Sequence, residues 1–106
     1  MDVNILVEVL DERAKQDKKW GVQNHPDGTG DGVWPEEARR AKAICNSAAK
    51  NGDVIWLDIL NKEICEAFAE SDPKKLRAEL IQVAAVAVAW IEAIDRRKDG
   101  TDGKGK

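Results

Sequence analysis

The dipeptide Asp72-Pro73 constrains this chain most, because it sits between two stretches that both have helical spacing. Aspartate caps a helix and proline suits its first position, so a helix is expected to begin there. The segment from Ile59 to Ile94 therefore reads as two long helices joined by a tight turn at Ser71-Asp72-Pro73. With about 100° per residue, Glu63, Glu66 and Glu70 on the first helix fall within an arc of roughly 60°. Ile59 and Trp56 lie on that arc one and two turns earlier. Leu57, Leu60, Ile64, Ala67 and Phe68 form the neighbouring apolar arc, and Asp58, Asn61, Lys62 and Cys65 the expected exposed side. The glutamate stripe flanks the apolar face instead of opposing it.

Counting outward from the turn pairs the two helices. Glu66 is six residues before Asp72 and Glu79 seven after; Glu63 is nine before and Gln82 ten after. In an antiparallel pair of equal rise these become two rungs, Glu66 with Glu79 and Glu63 with Gln82. Three carboxylates and an amide then converge on one small volume. Carboxylates so gathered repel one another unless protonated or bridged by a cation, and hard oxygen ligands of this kind suit Mg²⁺. The competing expectation is a structural network of hydrogen-bonded side chains.

Glu63-x-x-Glu66 followed by Glu79-Leu80-x-Gln82 on paired helices resembles the MazG-like all-α nucleoside triphosphate pyrophosphohydrolases. Their pattern is E-x-x-E, then E-x-x-D on the next helix. The likeness runs from about Trp56 to Arg97. Lys19-Trp20-Gly21 and the segment Gln23-Asn24-His25-Pro26-Asp27-Gly28 also look like a MazG-like subgroup. Gln82 stands where the family usually has aspartate, which removes one charge. The resemblance implies an all-α, four-helix protomer and hydrolysis of a nucleoside triphosphate to monophosphate and pyrophosphate. It implies Mg²⁺ held by Glu63, Glu66, Glu79 and Gln82, with Glu63 and Glu66 as catalytic residues. Loss of the usual aspartate keeps a second class open, a non-catalytic nucleotide-binding or regulatory protein; a plain helical oligomerisation module is a third.

Composition fits this frame. The 106 residues suffice for one domain with a modest core, and 35% are charged against 5% aromatic. A net charge of −3 offers no broad basic surface, which argues against nucleic acid as the partner. Cys45 and Cys65 form no C-x-x-C motif and read as reduced packing residues of a cytoplasmic protein. The apolar run Ile5–Val7 lacks the basic flank of a signal peptide, and no segment has the length and apolarity to span a bilayer.

Asp2 can cap a first helix reaching about Lys19, with Val3, Leu6, Val7, Leu10 and Ala14 on one face and Ile5 and Val9 on another. Trp20 to Trp34 then forms a long loop, WGVQNHPDGTGDGVW, too long to be an ordinary connection. Trp20 can stack on a base, and Gln23, Asn24, His25 and Asp27 can hydrogen-bond a base or ribose. Equally, the loop can be a surface connector whose tryptophans anchor it. Pro35-Glu36-Glu37 opens a second helix with a narrow face of Ala38, Ala41, Cys45 and Ala48, widened by Ile44. Asn51-Gly52 ends it, and Asp53 is expected to cap the third helix. On the fourth helix every residue from Leu80 to Ile94 except Gln82 and Glu92 is apolar, around nearly the whole circumference. Such a helix is buried on all sides, which predicts a dimer or tetramer built as a helical bundle. Residues 1–98 read as one helical domain and 99–106 as a disordered tail.

Overall fold

The computed structural model describes residues 1–98, and these form four α-helices and no strand: α1 (Val3–Trp20), α2 (Trp34–Asn51), α3 (Trp56–Phe68) and α4 (Pro73–Lys98). The all-α expectation is met; the predicted tail, residues 99–106, lies outside the described residues. The chain divides into two compact units. Among the described residues, one holds 1–26 with 88–98, and the other holds Asp27–Ala87.

In the first unit α1 begins as its sequence dictates. Asp2 is extended, and its carboxylate accepts the Asn4 N–H at 2.9 Å. The Asp2 N–H donates to the Glu92 carboxylate of α4 at 2.8 Å. That bond joins the start of α1 to α4. Ile5, three residues on, is buried, as is Ala93. The expected apolar face of Val3, Val7 and Leu10 is instead exposed, with only Leu6 of that set half-buried. Lys18 and Lys19 in the last turn stand favourably at the negative end of the helix dipole, and the Gly21 N–H closes the helix on the Asp17 carbonyl.

In the second unit α2 packs against α3. Its first turn carries Glu36 and Glu37 at the positive end of the dipole. Gly52, left-handed at φ 79°, ends it by donating to Ala48 and Ala49 carbonyls. The residues buried on the two helices are small: Ala41 and Cys45 on α2, Cys65 and Ala67 on α3. The small-residue face predicted for α2 is thus the one used, but Ile44 is exposed and does not widen it. Small side chains let two helix axes approach closely.

Two expectations about α3 are corrected. Asp53 does not cap it; the Asp53 N–H donates to the Ala48 carbonyl and belongs to the end of α2. The helix starts three residues later, where the Asp58 carboxylate reaches back to the Ile55 N–H at 3.5 Å. Cys65, placed by its spacing on the exposed side, is buried, while Leu57 and Phe68 of the supposed apolar arc are exposed. The rest of that arc is nearer to expectation: Ala67 is buried, and Leu60 and Ile64 are half-buried.

The α3–α4 connection is strapped by the chain in front of α2. The Gly30 N–H donates to the Phe68 carbonyl at 2.8 Å, and the Thr29 hydroxyl donates to the Glu70 carbonyl at 2.5 Å. Trp34 meets Phe68 edge-on, with ring centroids 4.8 Å apart. Gly30 has φ +98° and lies so close to Ser71 that a side chain would overlap it. α4 then begins at Pro73, with the Asp72 carbonyl accepting the Leu76 N–H at 2.8 Å. Leu76 is buried beneath this turn region.

Candidate functional site

The hairpin of α3 and the start of α4 brings three carboxylates together. Glu63 and Glu66 lie one turn apart on α3, and Glu79 lies almost two turns into α4. One oxygen from each falls within 4.8 Å of the other two, and all three residues are half-buried. Counting from the turn paired Glu66 with Glu79, and these two meet; Gln82, expected opposite Glu63, is not part of the group. Of the charges acting on Glu79, that of Glu66 is the strongest and that of Glu63 the next, as expected if Glu66 stands across the rung.

Electrostatics mark this cluster as self-repelling. Burial pushes the Glu79 carboxyl above its ordinary range, and the charges of Glu66, Glu63 and Glu70 push it further. Lys62 offsets part of that effect. Its ammonium donates to the Glu63 carboxylate at 3.1 Å, with the lysine and glutamate side chains only 24% and 13% exposed. That hydrogen bond raises the Lys62 pKa, against the opposing effect of burial.

The remaining expected residues are placed differently. Glu70 is not a third turn of the stripe, because α3 ends at Phe68. Its carboxylate accepts the Asp72 N–H at 3.0 Å and so belongs to the turn. Gln82, the fourth member expected from the spacing, is exposed one turn beyond Glu79. Trp20, Gln23, Asn24 and His25 belong to the unit of α1, whereas Asp27 opens the other. All five are exposed. The Lys19 ammonium sits 5.0 Å from the Trp20 ring centroid, and Gln23 Oε1 lies 3.1 Å from His25 Nε2. An open cavity of about 570 Å³ in that unit is lined by Arg13, Gln16, Asp17, Gly21, Val22 and Gln23. Of the two loop tryptophans, Trp34 is the one that anchors, through Phe68.

Two residues near the cluster were not anticipated. Lys62 reads as solvated charge on the helix period, yet it is half-buried against Glu63. Burial raises the Cys65 thiol above its ordinary value, and the charges of Glu37 and Glu66 raise it further. The signal for Glu37 was present: it precedes Ala41 and Cys45 at four-residue intervals and so shares their face. The raised thiol is a poor nucleophile, and both cysteines are free and buried, which fits packing roles.

Comparison of the chain with family models, curated proteins and solved structures gave no match. Fold and site define an all-helical protein with a half-buried carboxylate cluster across a helical hairpin. Among the described residues, no helix is long and apolar enough to cross a membrane.

Proposed function

We propose that the chain is a MazG-like, Mg²⁺-dependent nucleoside triphosphate pyrophosphohydrolase. The observation that carries this is the convergence of Glu63, Glu66 and Glu79 oxygens to within 4.8 Å. The donor set suits the ion: three hard carboxylate oxygens, mutually repelling, with one raised in pKa by its neighbours. Bound there, Mg²⁺ would polarise phosphate oxygens and lower the pKa of water. Glu63 and Glu66, one turn apart on α3, would hold the ion and help orient a water towards a phosphoryl group. Glu79 closes the third side from α4. Gln82 can hydrogen-bond a water but cannot act as a base. Trp20 offers a ring face to a base, and Gln23, Asn24, His25 and Asp27 offer hydrogen bonds to base or ribose.

The chain also needs a cover for α4. Leu80 and Ile81 are 49% and 58% exposed on a helix whose stretch from Leu80 to Ile94 is apolar almost all round. A second copy of the chain is the occupant in this reading, giving a dimer or a tetramer of helical hairpins.

Pyrophosphate release should be measured with Mg²⁺ across the eight common ribo- and deoxynucleoside triphosphates, with Glu66→Gln as the control. Release from at least one substrate, lost in Glu66→Gln, is the expected result. The second reading, a nucleotide-binding protein without turnover, is favoured by Gln82 and by the Lys62 charge beside Glu63. Mg²⁺-dependent nucleotide binding without release would select it. Under the enzyme reading, Gln82→Asp tightens Mg²⁺ binding and holds or raises turnover. If calorimetry finds no Mg²⁺ binding, with or without nucleotide, and Glu66→Gln lowers stability in metal-free buffer, the glutamates are a structural network.

A further inference from the structure

Neighbouring residues on a helix point about 100° apart and do not face each other. Lys62 nevertheless bonds to Glu63, the next residue, at 3.1 Å. Two more ordinary partners lie at helical spacing. Asp58 is four residues before and Glu66 four after, but the Asp58 carboxylate is turned to the Ile55 N–H. The ammonium therefore stands at the edge of the carboxylate cluster, close enough to act on Glu79 as well, with its side chain half-buried. A cationic side chain drawn to this position replaces, for one carboxylate, the cation that the cluster calls for.

We infer that Lys62 is the resident counter-cation of the cluster, displaced when a divalent ion binds and then free to take a phosphate oxygen of the ligand. This rests on the reading of Glu63, Glu66 and Glu79 as a metal site. An ion on either oxygen of Glu63, at about 2.1 Å, would lie within roughly 5–7 Å of the ammonium that the same carboxylate holds. The two cations repel at that distance, in a half-buried place where screening is weak. The lysine side chain is long and flexible, and its ammonium is a good partner for phosphate as a point charge. Metal binding alone therefore works against Lys62, whereas metal and phosphate together give the ammonium a new anion. The two ligands bind cooperatively as a result, and the coupling is reciprocal.

The test is calorimetry of the full chain with Mg²⁺ alone, with inorganic pyrophosphate alone, and with pyrophosphate at saturating Mg²⁺. Wild type, Lys62→Gln and Lys62→Arg are compared. Lys62→Gln should bind Mg²⁺ alone about tenfold more tightly, the size expected for removing one nearby like charge. It should bind pyrophosphate in Mg²⁺ about tenfold more weakly, so the coupling shrinks from both ends. Lys62→Arg keeps the charge and should stay near wild type for Mg²⁺ alone, which keeps the test usable if Lys62→Gln folds poorly. Mg²⁺ binding by Lys62→Gln but not by wild type also supports displacement. Equal Mg²⁺ affinity in wild type and Lys62→Gln would overturn the inference while leaving the metal site intact. Tighter Mg²⁺ with undiminished pyrophosphate binding would overturn the transfer to phosphate. No Mg²⁺ binding by any of the three chains would overturn both this and the metal site.

Discussion

Replacing Gly30 with alanine should destabilise the second unit far more than the same change at a nearby glycine. Gly30 has φ +98°, and a Cβ built there stands 2.6 Å from Ser71 Cβ, 3.1 Å from its Cα and 3.4 Å from its backbone nitrogen. Two costs follow. A left-handed backbone costs an L-residue about 1–2 kcal/mol. Forcing an added methyl into a filled space costs a further ~1–3 kcal/mol. The sum is ~2–5 kcal/mol, a large share of the ~5–15 kcal/mol that holds an ordinary domain folded. Relief is not free, because moving the strap pulls on the Gly30–Phe68 and Thr29–Glu70 hydrogen bonds. Gly32→Ala is the matched control: φ is +68° and nothing lies within 4 Å of its added Cβ. It should cost only the backbone share, about 1–2 kcal/mol. The assay is urea unfolding followed by circular dichroism, read as a shift in midpoint at constant slope. Adding Ser71→Gly to Gly30→Ala should recover part of the loss, since the Ser71 Cα and nitrogen remain close. If the two alanine variants unfold at the same urea concentration, the strap does not press on the α3–α4 turn and the reasoning is wrong.

Glu79→Gln tests the repulsion within the cluster. The folded carboxyl is raised above its unfolded value, so the ionised form weakens the fold at neutral pH. In metal-free buffer the glutamine variant should melt higher than wild type at pH 7. That advantage should fade as pH falls through the folded pKa towards the ordinary carboxylate range; an advantage independent of pH, or none, counts against it. Mg²⁺ should raise the melting temperature of wild type but not of Glu79→Gln, as checked by thermal melts with and without EDTA. Leu80→Asn with Ile81→Asn should shift sedimentation towards monomer, and a monomeric wild type at micromolar concentration would refute the assembly. Changing Asn24 and His25 together to alanine should weaken nucleotide binding in calorimetry and leave the unliganded melt nearly unchanged, because both are exposed. An equal loss of unliganded stability would make that stretch a structural connector.

What the sequence made legible was local and periodic. Asp72-Pro73 announced the start of α4, and counting from it placed Glu66 against Glu79 without any knowledge of side-chain packing. The small face of α2 was legible because Ala41 and Cys45 stand a turn apart. The losses came where several interactions compete for one residue. Asp53 and Asp58 can both serve the start of α3, and only the fold shows that the helix begins at Trp56, which leaves Asp53 too far upstream and puts the Asp58 carboxylate at the Ile55 N–H. Cys65 was misplaced because apolarity alone ranks Leu57 and Phe68 above it, yet Cys65 is the one buried. Ile5, not the longer Val3–Val7–Leu10 stripe, is the buried residue of α1, and periodicity alone does not choose between two apolar faces of one helix. Lys62 escaped notice because helical period places a Cβ and says nothing of where a four-carbon stem carries its charge.

The small seam between α2 and α3 gives the molecule a built-in clock. Cys45 and Cys65 both lie in it, shielded from reagent. Neither sulfur can accept a bulky adduct while the helices stay shut, so the rate of alkylation reports how often they part. The thiols, inert in the folded chain, thereby time the opening of the pair whose α3 member carries Glu63 and Glu66.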